Sequence, residues 1–150
     1  MPIQNEKEKI ISKLRDYFET KREVSFAFLF GSWSKEQAGI ESDMDIAVYF
    51  KPRANILELQ DTEAYYETEN RLWREIEKIV ETEVDLIVLN RAPATVADSA
   101  LRGIPLVIKN RNIYINFLLR VTSEAIDFRE WVDMYWRLKE KRKYETAARG

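Results

Sequence analysis

The spacing of apolar positions changes several times along the chain, and each change marks an element. Ile10, Ile11, Leu14, Tyr17 and Phe18 fall at i, i+1, i+4, i+7 and i+8. That is the single stripe of an amphipathic helix over Gln4 to Thr20, suited to covering a core. Ser25 to Phe30 is a continuous apolar run, which predicts a strand buried on both faces. A second apolar run, Ile46 to Phe50, follows a polar connection, Gly31 to Ser42. Lys51-Pro52-Arg53 is a break. Ile56 to Val80 then reads as a long helix with a hitch near Asp61, its stripe made by Tyr65, Leu72, Trp73, Ile76 and Val80. Glu83 to Leu89 is a third strand. Pro93 fits the first turn of a helix ending at Gly103. Ile104 to Lys109 is a short fourth strand, and Pro105 suggests an edge position for it.

Asn112 to about Lys143 predicts a long amphipathic helix with at most one break. Ile113, Phe117, Val121, Phe128, Val132, Tyr135 and Leu138 recur at threes and fours, with Trp131 and Trp136 off or beside that stripe. A small sheet has little room to bury so many aromatics on a terminal helix. Two readings stand: packing on the parent domain, and an interface, where aromatic residues are enriched. Lys139, Lys141, Arg142 and Lys143 suit a helix C-terminus. The element order is that of a small α/β (α+β) domain, and residues 1–150 suffice for one domain with a real core.

Composition narrows the chemistry. The net charge is −2 with 33% charged residues, so bulk electrostatics gives no reason to expect direct nucleic-acid binding. There is no cysteine and no histidine. This removes disulfides, thiolate or imidazole metal ligands and histidine general bases. No signal peptide and no membrane-length apolar run is evident, so the expected location is the cytoplasm and no membrane partner is expected.

The candidate chemistry lies where strands begin and end. Gly31-Ser32 closes the first strand, and ten residues later come Asp43 and Asp45 at the start of the second. Strand alternation puts Asp43 and Asp45 on one face and leaves Met44, Ile46 and Val48 for the core. Paired carboxylates repel unless a cation sits between them. Mg²⁺ is held through one or two carboxylates and substrate phosphates. Gly31 lacks a Cβ and lets a ligand approach the backbone. Ser32 opens a short helical turn, Trp33 to Gln37, whose N–H groups attract phosphate. Asp85 is the single carboxylate inside the third apolar run. It is either part of the site or a strand-edge residue facing water, since burying it unpaired is costly. Lys35 is read as a triphosphate contact or a solvated lysine, and Trp33 as a base-stacking surface or a packing residue.

Gly31-Ser32, the ten-residue spacing, Asp43-Met44-Asp45 and a later strand Asp85 resemble the signature of the polymerase-β-type nucleotidyltransferases. The length and spacing are most similar to the minimal nucleotidyltransferases (MNT), including the MNT antitoxins paired with HEPN-domain toxins. The resemblance implies a small mixed sheet with helices mainly on one face and a long C-terminal helix. It implies ATP as substrate, held along Gly31 and Ser32. Asp43, Asp45 and Asp85 would be both catalytic residues and ligands of two Mg²⁺ ions, with Asp85 favouring deprotonation of an acceptor hydroxyl. The implied reaction is AMP transfer to a hydroxyl, by resemblance a tyrosine, of a cognate HEPN toxin. A HEPN ribonuclease fused within this chain is excluded, because that family's motif pairs Arg with His. A small-molecule transferase of the aminoglycoside type and a non-catalytic, steric antitoxin are the alternatives.

Overall fold

The computed structural model describes residues 2–34, 43–51 and 58–149, with the side chains of 2–4, 34, 58–65 and 144–149 outside that description. The order is α1 (Pro2–Glu19), β1 (Val24–Phe30), a 3-10 turn (Gly31–Ser34), β2 (Met44–Phe50), α2 (Glu58–Val80), β3 (Val84–Val88), a second 3-10 turn (Leu89–Arg91), α3 (Ala94–Leu101), β4 (Ile104–Ile108) and α4 (Arg111–Arg149). Every expected helix and strand is present. The loop containing Lys35 and the Lys51-Pro52-Arg53 break fall on or beside residues 35–42 and 52–57, which lie outside the described residues. From Glu58 onward α2 is continuous, without the expected hitch at Asp61.

The four strands form one mixed sheet in the order β3-β2-β1-β4. β1 pairs antiparallel with β2 and with β4, while β2 and β3 run parallel. β1 and β2 are central, and this explains the near-continuous burial of VSFAFLF. β4 is an edge strand, where Pro105 withholds no bond that a neighbouring strand needs.

Strand alternation divides the side chains between two cores. On one face α1 and α2 bring Leu14, Phe18, Leu72, Ile76 and Val80 onto Val24, Leu29, Met44, Ile46, Val48, Val84 and Leu86. The stripe predicted for the first helix is the one that packs, with Ile10, Ile11 and Tyr17 at its margin. The Tyr17 hydroxyl donates to Glu75 at 2.5 Å and joins the two helices. On the other face α3 and the first third of α4 cover β1, with Phe26, Phe28, Ala97, Ala100, Leu101, Phe117 and Val121. This second layer reaches β2 through Ala47 and Tyr49. Its helices therefore sit over the β1 side, and Asp45 and Asp85 lie beyond them on the β2–β3 side.

The C-terminal helix departs from expectation in its length. It is one unbroken helix of 39 residues, about 58 Å long. It also continues past Lys143 to Arg149, so the basic cluster sits inside the helix rather than at its end. The predicted stripe is core only at Phe117 and Val121, followed by Ala125. Beyond Ala125, Phe128, Trp131, Tyr135, Trp136 and Leu138 are all exposed. The helix leaves the body at Arg129, whose guanidinium donates to the buried Asp98 of α3 at 2.7 Å.

Candidate functional site

The candidate site forms where β1 ends and β2 begins. β1 runs into Gly31, whose φ of +69° is a left-handed conformation that L-residues avoid. The antiparallel register sets Phe30 opposite Asp45. The reversal therefore lays Gly31 against the Asp45 carboxylate: a side chain on Gly31 would collide with Oδ2 and stand 3.1 Å from Cγ. The sequence reading gave the missing Cβ to a ligand. The structure gives that space to Asp45, so the glycine serves the protein's own carboxylate first.

The parallel pairing of β2 with β3 brings in the third carboxylate. Asp45 and Asp85 are register partners on adjacent strands. Met44, Ile46 and Val48 on one strand and Val84, Leu86 and Val88 on the other point into the α1/α2 core. Both aspartates consequently point to the opposite face. Asp45 is half-buried, whereas Asp43 and Asp85 are exposed. Asp85 stands on an edge strand and faces water, so the costly buried aspartate considered from sequence is not what the fold contains. It nevertheless faces Asp45.

Burial, then the negative charges of Asp85 and Asp43, push the Asp45 carboxyl above the usual carboxylate range, and a hydrogen bond with Asp85 adds to the rise. A cation held between the two carboxylates would relieve the same repulsion. All donors here are carboxylate oxygens, which suits a hard divalent ion such as Mg²⁺. As the side chains stand, no three His, Cys, Asp or Glu residues among the described residues are arranged to hold a metal ion. The donor chemistry fits such an ion, and a three-ligand set requires the carboxylates to turn.

A cleft of about 300 Å³ opens on the outer side of the pair, lined by Asp43, Trp73, Glu77, Glu83, Val84 and Asp85. Trp73 was legible only as part of the α2 core stripe. In the structure its indole N–H donates to the Val84 carbonyl at 2.6 Å. The signal available in sequence was general: a half-buried tryptophan needs an acceptor. Trp33, open between base stacking and packing, is buried in the α1/α2 core, with the Lys7 ammonium 5.4 Å from its ring centroid. Ser32 is exposed beside Gly31. At the far end of β2 the Asn90 side chain accepts from the Phe50 N–H and donates to its carbonyl, both at 2.9 Å. This extends the β2–β3 pairing past the last strand residue and holds the register that sets Asp45 against Asp85.

The family model for polymerase beta nucleotidyltransferases matches residues 12–112. That span contains Gly31, Ser32 and all three aspartates. No curated protein matches the sequence. Among solved structures, a toxin–antitoxin with AMP-PNP is 24% identical over 92% of this chain and 93% of that chain, with a TM-score of 0.50. A structure from Shewanella oneidensis is 19% identical over 91% and 92%, with a TM-score of 0.51. A tri-AMPylated Shewanella oneidensis HEPN toxin in complex with MNT antitoxin is 22% identical over 94% and 92%, with a TM-score of 0.49. At these identities the likeness is one of fold.

Proposed function

The chain belongs to the polymerase-β nucleotidyltransferase family, and from that premise we propose that it transfers AMP from ATP to a hydroxyl of a HEPN-type toxin and so acts as its antitoxin. The observation that carries the reading is the meeting of Asp45 with Asp85 across β2 and β3, directly against the Gly31 turn. An ATP triphosphate would lie along Gly31 and Ser32. Asp43, Asp45 and Asp85 would hold Mg²⁺, which when bound neutralises phosphate charge and makes a nearby hydroxyl more acidic. Asp45, already carrying neighbours of its own charge, orients the nucleotide side of the site. Asp85, exposed on the outer strand, accepts the proton of the attacking hydroxyl. The acceptor oxygen forms the new bond to the α-phosphorus, and the bond to the bridging oxygen breaks as pyrophosphate leaves.

The choice of acceptor draws on two features. The similar structure solved with AMP-PNP is a toxin–antitoxin, and the motif resembles that of the MNT antitoxins. The outer part of α4 also presents Phe128, Trp131, Tyr135 and Trp136 to solvent, an apolar surface suited to a protein partner. No helix among the described residues is long and apolar enough to cross a membrane.

The test combines the purified chain, ATP, Mg²⁺ and the product of the neighbouring gene. Intact mass should show that product gaining one or more AMP units, and Asp43→Asn/Asp45→Asn should abolish the gain while binding persists. Neutralisation of the toxin by that double variant, with no mass gain for the wild type, would favour the steric module. AMP transfer to a small molecule and never to the protein would favour the aminoglycoside-type reading.

A further inference from the structure

The outer strand of the site has an anchor that the chemistry above does not use. β3 is the last strand of the sheet on its side. The Met44 N–H donates to the Glu83 carbonyl at 3.2 Å, with Met44 paired to Val84. In a parallel pair, successive backbone groups alternate between facing the neighbour strand and facing away. The Val84 carbonyl therefore points off the sheet, away from β2. An edge carbonyl usually finds water or a chance partner. Here the indole N–H of Trp73, arriving from α2, donates to it at 2.6 Å.

The peptide held in this way is the one that joins Val84 to Asp85. Trp73 reaches no carboxylate of the pair through this bond, yet it fixes the plane from which the Asp85 side chain departs. The same ring lines the cleft shared by Asp43 and Asp85. Its neighbours on the helix keep it there: Leu72 and Ile76 are fully buried against the sheet. The helix thus holds Trp73 in place, and Trp73 holds the edge of β3.

We propose that Trp73 is a positioning residue for Asp85: its N–H pins the outward carbonyl of β3 and keeps the exposed aspartate in register with Asp45. The catalytic part of this inference rests on the nucleotidyl-transfer reading; the anchoring part does not. Without the donor, that peptide is held only by its ladder bonds to β2, and Asp85 spends less of its time facing Asp45. Misplacement of a reacting group by small distances is enough to slow chemistry. Binding of ATP, which the proposal assigns to the Gly31 side, is left alone.

Two variants test it. Trp73→Phe removes the N–H and part of the ring. Benzothienylalanine at position 73 keeps the bicyclic shape and places sulfur where the N–H stood, so it serves if Trp73→Phe fails to fold. Either should raise amide exchange at Asp85 and Ile87 about fivefold or more, while exchange in β1 stays as in the wild type. In the transfer assay, each should lower kcat about tenfold with KM for ATP unchanged. Combined with Asp85→Asn, the position-73 change should have no further effect, because residues acting through one another are not additive. Unchanged exchange at Asp85 and Ile87 would overturn the anchor. An equal loss of kcat in the Asp85→Asn background, or a loss expressed in KM, would overturn the positioning role. A wild-type chain that transfers nucleotide to nothing would instead overturn the functional reading, and the exchange comparison would still decide the anchor.

Discussion

Two regions of this protein are poorly matched to the isolated chain, in opposite ways. At the strand ends, burial and the neighbouring charges of Asp85 and Asp43 raise the affinity of Asp45 for a proton. On the outer part of α4, large apolar side chains stand in water, with Trp131 at 59% and Trp136 at 56% exposure. The first region has too much like charge and the second too much bare apolar surface. Elsewhere the molecule follows the ordinary rules: a sheet with buried residues on both faces, and helices that bury their stripes. Departures of this kind, each open to relief by a different kind of occupant, are expected of functional sites. On the proposed function, a cation and a triphosphate would relieve the first and an apolar partner surface the second.

The contrast can be broken most severely at the carboxylates. Asp45→Asn should reduce AMP transfer by about 10²–10³-fold, the scale of losing one preorganised electrostatic group, as measured by rate of label transfer from α-labelled ATP. Binding of the partner through α4, read by pull-down or titration, should be unchanged. Loss of both together would mean that the two regions are not separate.

The two parts of α4 sharpen the contrast next. Phe117→Ala removes a ring packed among Phe26, Tyr49 and the rest of the second core, and should cost about 3–5 kcal/mol in urea unfolding. Trp131→Ala removes a ring that, among the described residues, stacks on its helical neighbours Phe128 and Tyr135. It should change the stability of the isolated chain by no more than about 0.5 kcal/mol, while weakening partner binding by about 2 kcal/mol or more if Trp131 is an anchor of the interface. Comparable destabilisation by the two substitutions would place the outer part of the helix in the fold.

Gly31→Ala separates two reasons for one glycine. The left-handed backbone alone should cost about 1–2 kcal/mol, seen as a lower urea midpoint. The collision with Asp45 adds to that cost and displaces the carboxylate, so transfer should fall even under conditions where the variant is fully folded. A variant that keeps full activity once folded would show that the turn is structural only.

The smallest effect has the opposite sign. Asp45 has its pKa raised in the native state, so the fold favours the protonated form. Its contribution is present below the ordinary aspartate pKa and is lost as pH rises through the higher native value. At neutral pH Asp45 therefore opposes folding of the metal-free chain. Asp45→Asn should stabilise that chain by about 0.5 kcal/mol at pH 7, about 1–2 °C in Tm, and the gain should vanish near pH 3. A Tm that falls at pH 7 would show that Asp45 is held by favourable contacts instead.

Much of the fold was legible because it is local. The helical stripe ending in Leu14 and Phe18, the apolar run of β1 and the edge proline of β4 each carry their own signal within a few residues. The candidate site was legible in its parts but not in its assembly. Nothing near Asp85 in the chain says that β3 will run parallel to β2 with Asp85 opposite Asp45, because that pairing is non-local. The reason for Gly31 was hidden for the same cause: the atom that forbids its side chain belongs to a residue fourteen positions on. Trp33 and Trp73 look alike in sequence, yet one is core and the other holds a strand edge. The stripe of α4 carried no mark at Ala125 to separate packed from exposed turns, since an apolar face reads the same whether its cover is within the chain or outside it.

Gly31, Asp43, Asp45 and Asp85 are proposed to form one nucleotide-and-metal site. Paramagnetic broadening tests it most directly. Mn²⁺ added with a non-hydrolysable ATP analogue to the isotope-labelled chain should broaden the amide signals of Gly31, Ser32, Asp43, Asp45 and Asp85, and spare those of Phe128 to Leu138 on α4. Broadening that leaves Asp85 sharp while Asp43 and Asp45 vanish, or that centres away from the end of β1, would contradict the account.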